Sequence, residues 1–152
     1  DREEILSLAE ELGTQVYIIS EDADIEADEL EIKAYTTFSQ EEPSLIFLGC
    51  FGDFETLVSG DAGISEEQEF VAAHALPDAE LFVAGHHGSN TSNSQELLSA
   101  LNAEYAVISC GYNSYGHPTQ EALACFEQAG MEIFRTDKMG DITFSIGGEG
   151  GQ

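Results

Sequence analysis

Apolar residues recur at helical spacing near the start of the chain. Ile5, Leu6, Leu8, Ala9 and Leu12 share one face, and Gly13 supplies a stop, which predicts a helix over 3–12. Val16, Tyr17, Ile18 and Ile19 then form a short continuous run that predicts a strand over 14–20. Ile25 and Leu30, followed by Ile32, Ala34 and Tyr35, predict two short strands joined by an acidic turn. Leu45–Phe51 and a second apolar run over 54–59 are separated by Gly52-Asp53, and glycine at the first turn position predicts a type II′ hairpin.

Beyond that hairpin the pattern changes to alternating strands and helices. Ser65 with Gln68 has the spacing of a capping box and predicts a helix to about Leu76. A strand over 81–84 leads into the polar loop 85–92, and Ser92 or Ser94 can cap a helix to Asn102. The next strand is predicted over 105–110. After a loop over 111–117, Pro118 suits a first helical turn, with Ala122, Leu123, Phe126 and Ala129 on one face and Gly130 ending the helix. Two strands, 131–136 and 141–146, around Lys138-Met139-Gly140 complete the pattern. Residues 147–152 read as a flexible tail, so 1–146 forms one domain. Strands interspersed with short helices predict an α/β fold, a mixed sheet covered by helices.

The 152 residues suit a single domain, and 42% hydrophobic content is enough to bury a core. Thirty acidic against four basic residues give a formal charge of -26, which argues against a freestanding nucleic-acid binder because phosphate contacts need Lys or Arg. It leaves open a site where metal ions supply the positive charge. Seven of the eleven residues from 21 to 31 are acidic, and without a histidine or a regular ligand spacing they read as a solvated face. Cys50, Cys110 and Cys125 form no CxxC pair and read as buried free thiols. No apolar run has the roughly 20 residues of a membrane span. The chain opens on Asp1-Arg2-Glu3-Glu4 without a Met and reads as a piece of a longer protein.

His86, His87 and His117 lie in loops after predicted strands, and Asp61 occupies the same kind of position. Strand ends on a rigid sheet can aim several side chains at one point. A carboxylate can bridge two cations, while neutral imidazole binds zinc, manganese or iron. Spacing alone also admits a structural role, with Asp61 ending a strand and the histidines making hydrogen bonds. His74 falls inside a helical segment and reads as a helix-face histidine. Arg135 pairs with a local carboxylate or contacts a phosphate. Ser89, Thr91, Ser92 and Asn93 place hydroxyl and amide groups beside the double histidine.

Four phrases together resemble a known superfamily. Val83-Ala84-Gly85-His86-His87-Gly88-Ser89-Asn90-Thr91-Ser92 is similar to the HHGS-type loop of metallo-β-lactamase-fold domains, above all those of ComEC-type competence proteins. Leu57-Val58-Ser59-Gly60-Asp61-Ala62 resembles the strand that ends in Gly-Asp. The run from Ala106 to Gly111, followed by Asn113-Ser114-Tyr115-Gly116-His117-Pro118, resembles a buried strand and its loop. Phe134-Arg135-Thr136-Asp137 with Gly140-Asp141-Ile142 resembles a closing hairpin.

The resemblance implies an αββα sandwich with a two-metal site at one edge, of which this chain is the second half. It implies that Asp61 bridges or binds divalent metal, zinc or manganese, two ions in a complete domain, and that either His86 or His87 supplies another ligand with its neighbour beside it, while this piece alone holds metal weakly or not at all. It implies that Asp61 and His117 serve catalysis and that Ser89, Asn113, Tyr115 and Arg135 contact substrate. The implied activity is phosphodiester hydrolysis in DNA uptake. The alternatives are a hydrolase for another ester, or a metal-free scaffold that binds a partner. No HxHxDH motif is present and no histidine precedes His74, so the expected partners are a missing N-terminal half, DNA and membrane through the parent protein, or a second copy. The implied location is a soluble domain of a bacterial membrane protein, outside the cytoplasm.

Overall fold

Residues 2–37 and 44–147 are described by the structure, a computed structural model; the expected tail beyond Gly147 lies outside them. Helix α1 (Arg2–Leu12) is followed by β1 (Ala23–Ala27), β2 (Leu30–Thr36), β3 (Leu45–Phe51), β4 (Phe54–Val58) and helix α2 (Ile64–Ala73). Then come β5 (Leu81–Val83), α3 (Gln95–Leu101), β6 (Tyr105–Ile108), α4 (Gln120–Gln128), β7 (Glu132–Arg135) and the single turn α5 (Thr136–Met139). All seven strands lie in one sheet, in the order of the sequence. The first four run antiparallel as a meander. The last four run parallel, with a helix between each pair.

The hairpin forms as expected: Phe51 pairs with Phe54, and Gly52 alone of the two turn residues takes a positive φ, 61°. Register divides the sheet into two faces, because cross-strand partners point the same way. Leu48, Leu57, Phe82, Ala106 and Ile133 line up across five strands on one face. The first four are at most 4% exposed and pack in one cluster with Leu97, Leu98, Leu101 and Phe126 from the helices. The next row, Phe47, Val58, Val83, Val107 and Phe134, lies on the opposite face and is only half-buried.

Four expectations need correction. No strand forms over 14–20; Val16, Tyr17 and Ile18 are exposed, and β1 pairs only with β2. The outer side of β1 stays unpaired, so strand propensity by itself does not make a ladder. Likewise 141–146 is not a strand. Gly140, at φ 75°, turns the chain after α5, and the Phe144 ring sits 5.6 Å from Tyr105 and 5.8 Å from Phe134, on the half-buried face rather than beside β7. Helix α2 begins at Ile64, so its cap falls two residues before the expected cap Ser65. Its cap is Gly63, whose N–H donates to Glu66 Oε2 at 2.6 Å. Pro118 lies just outside α4, which Thr119 caps through its hydroxyl. Ser94 caps α3, one of the two candidates.

Candidate functional site

Strands β4, β5 and β6 are parallel neighbours, so the loops after them leave the same edge of the sheet. Those loops carry Asp61, His86-His87 and His117. Backbone hydrogen bonds tie them together: His86 N–H donates to Gly60 O at 2.8 Å, Ile64 N–H to Thr91 O at 2.9 Å, and Thr119 N–H to Gly88 O at 3.0 Å. The Ser92 hydroxyl adds a bond to Ala62 O at 2.7 Å. A Cβ on Gly88 would stand 2.7 Å from Pro118 Cβ, so the double-histidine loop packs on the His117 loop with no room for a side chain there.

His86 and His87 are exposed and His117 is half-buried. The His86 and His117 rings meet edge to face at a centroid distance of 5.6 Å. His87 Nδ1 lies 2.7 Å from Ser109 O, and a carbonyl only accepts, so Nδ1 carries the proton. That tautomer leaves the Nε2 lone pair free, the arrangement a metal-binding histidine uses. Beside it lies a pocket of about 310 Å³ lined by His87, Asn113, Tyr115, His117 and Thr136, among others. A concavity of about 400 Å³ along residues 17–25 holds no histidine and lies away from this edge.

The remaining candidates divide by what their polar atoms already do. Asn113 Oδ1 accepts from the N–H groups of Tyr115, Gly116 and His117, and its Nδ2 donates to Gly111 O and His117 O. Its amide is spent on holding the His117 loop. Ser89 is 3% exposed and bonds Thr91. Tyr115 is 83% exposed, at the pocket mouth. Arg135 grips Asp137 with Nε at 2.9 Å and Nη2 at 2.8 Å, the local pairing that was one of its two readings, and its guanidinium holds the Asp137 carboxyl below the usual range. His74 closes α2 against Tyr35 and Phe70, a structural position.

Sequence reasoning missed two residues. Thr136 joins the pocket and accepts from Cys110 N–H at 2.8 Å while donating to Cys110 O at 2.7 Å. Glu67, fully buried on α2, accepts from Asn93 N–H at 2.8 Å and Ser94 N–H at 2.6 Å. A carboxylate three residues before core Phe70, on an amphipathic helix, was the available signal. Cys50, Cys110 and Cys125 are free and half-buried. Burial, and then a hydrogen bond to Asp137, push the Cys110 thiol up, which disfavours its thiolate.

In kind, a carboxylate and imidazoles suit zinc or manganese. In number they do not complete a site: among the described residues no three His, Cys, Asp or Glu side chains come together in a way that could hold an ion.

No family model matches the chain. It is 39% identical over 98 residues to the competence protein ComA of Neisseria gonorrhoeae, covering 63% of this chain and 14% of that protein. It is 27% identical over 148 residues to the ComE operon protein 3 of Bacillus subtilis, covering 93% of this chain and 19% of that protein. The chain thus spans less than a fifth of either relative. Among solved structures it is similar to the metallo-β-lactamase-fold protein YhfI of Bacillus subtilis, with a TM-score of 0.60 and 12% identity over 90% of this chain and 59% of that one. At that identity the likeness concerns the fold alone.

Proposed function

The chain is a metallo-β-lactamase-fold domain of the ComEC type, and from that premise we propose that it forms one side of a metal-dependent phosphodiesterase site serving DNA uptake. The observation that carries this reading is the convergence of the Asp61, His86-His87 and His117 loops at one edge of three parallel strands. In it, Asp61 and one of His86 and His87 are ligands while the other histidine stands beside them, and the bond from His87 Nδ1 to Ser109 O fixes that ring and leaves its Nε2 lone pair free. His117 lines the pocket and contacts the scissile phosphate or a metal, with Asn113 holding its loop. Tyr115 stands where substrate enters. Two divalent ions, zinc or manganese, would supply a bound water of lowered pKa and neutralise phosphate charge. The rest of the ligands come from a segment outside these 152 residues. The parent protein holds the domain at a bacterial membrane, on the outer side; no described helix is itself long and apolar enough to cross one.

The test uses a longer form of the protein, supplied with manganese, on bis(p-nitrophenyl) phosphate and on oligonucleotides. His117→Ala is expected to lower kcat by about 10²–10⁴, the range for a lost acid or base group, with the circular dichroism unchanged. Unchanged turnover would remove His117 from the chemistry.

A second reading, a metal-free module that binds a partner, is favoured by the half-buried row Phe47, Val58, Val83, Val107 and Phe134. Apolar area left in water costs about 25 cal/mol per Å². A second copy can cover it, although the charge of -26 opposes close approach. Salt shortens the reach of that repulsion to about 8 Å at physiological ionic strength. The isolated chain is therefore expected to self-associate more as salt rises, read by sedimentation. A compact monomer at low and moderate salt that binds no apolar dye would show that this face is closed.

A further inference from the structure

His86 and His87 both sit in the left-handed region, at φ 48° and 55°, and Gly88 follows at 80°. Side chains other than glycine rarely enter that region, and two in succession need outside support. Backbone bonds to the neighbouring loops supply part of it, and one buried amide supplies the side-chain part. Asn93, 1% exposed, accepts from Gly85 N–H through Oδ1 at 2.8 Å. Its Nδ2 donates to Gly85 O at 3.1 Å and to Ser89 O at 3.0 Å. These contacts bracket His86-His87-Gly88 on both sides. Asn93 is itself left-handed, at φ 68°, and its own N–H is held by the buried Glu67 carboxylate. Glu67 thus anchors Asn93, and Asn93 clamps the loop.

We propose that Asn93, anchored by Glu67, is the positioning residue that holds His86 and His87 in the left-handed turn presenting their rings to the site. The catalytic relevance of the clamp rests on the function proposed above, whereas its effect on loop geometry can be read separately. Without the two Nδ2 bonds the loop relaxes toward ordinary backbone, and both rings move away from the Gly60–Ala62 turn and from His117. Nothing in this requires Asn93 to touch substrate or metal.

The test compares the 152-residue chain with Asn93→Ala, the near-isosteric Asn93→Asp, and Asn102→Ala. Asn102 also takes a positive φ, 48°, but caps α3 away from the histidines. Nuclear magnetic resonance couplings and shifts that report φ at His86 and His87 are the first readout. Broadening of the histidine ring signals by added Mn²⁺ is the second. Loss of the left-handed signature in both Asn93 variants and its retention in Asn102→Ala supports the clamp. Where Mn²⁺ binds the wild-type chain, its affinity for the Asn93 variants is expected to fall by about 10- to 100-fold, as when a partner orienting a ligand is lost. If Asn93→Ala fails to fold, Asn93→Asp decides. A left-handed signature that persists in a folded Asn93 variant overturns the proposal. Failure of Mn²⁺ to affect either histidine in the wild-type chain, with the signature still lost in the variants, leaves the clamp standing; the metal reading is then decided on the longer form, where loss of the Mn²⁺ effect on both histidines would count against it.

Discussion

The 152-residue chain alone is expected to hydrolyse no phosphodiester above the rate of free metal, even with manganese or zinc in excess. Metal-assisted hydrolysis depends on lowering the pKa of a bound water to about 7, and a catalytic ion is held by about three protein ligands. The described residues bring no such set together. The effect is of several orders of magnitude, so a simple release assay with bis(p-nitrophenyl) phosphate reads it. Turnover that follows the chain through purification and disappears in His87→Ala would show that these loops hold a working ion unaided.

Glu67→Ala is expected to have the largest effect on stability. The substitution strips two buried N–H groups, those of Asn93 and Ser94, of their acceptor. Each unsatisfied buried donor costs about 1–3 kcal/mol, which gives about 2–6 kcal/mol in all. A typical domain has only about 5–15 kcal/mol to lose. Urea unfolding measures the difference, and a loss under about 1 kcal/mol would mean that water or a shifted loop replaces the carboxylate. Burial pushes the Glu67 carboxyl up, against the two N–H donors, which pull it down. The folded state therefore holds this proton more tightly than the unfolded state. The contribution to stability is fully present below the ordinary carboxylate range and is lost as pH rises through the raised folded value. Stability of the wild-type chain should decline over that window, and Glu67→Ala should flatten the decline. An identical slope in both would exclude Glu67 as its source.

Much of the site edge was legible because its signals are local. A buried apolar run followed by a polar loop places a residue at a strand end, and Asp61, His86, His87 and His117 all lie where that rule put them. The strands expected over 14–20 and 141–146 have the right residues and still do not pair, although β1 and β7 each have a partner on one side only among the described residues. Pairing depends on what stands beside a segment, which its own sequence does not contain. The start of α2 was missed because Gly63 has no side chain to signal a cap; Glu66 closes the turn instead. Asn113 was read as a substrate contact because an amide in a site loop advertises hydrogen bonds without naming their partners. In the structure all of those partners lie in its own loop. The family phrases fixed the chemistry expected of the loops, while the clamp by Asn93 became visible only in three dimensions.

Strand order that repeats sequence order also shapes how the sheet is built in time. Each strand pairs with the one made just before it, across a hairpin or a single helix, so no pairing waits for a distant part of the chain. Short loop closures cost little entropy and favour rapid folding. The sheet can grow by one strand at a time as the chain leaves the ribosome, β1 first and β7 last. The three parallel strands that carry the histidine loops and their aspartate neighbour are then laid down consecutively. On this route β4 closes the meander and brings the aspartate loop, and β5 and then β6 add the histidine loops along its edge.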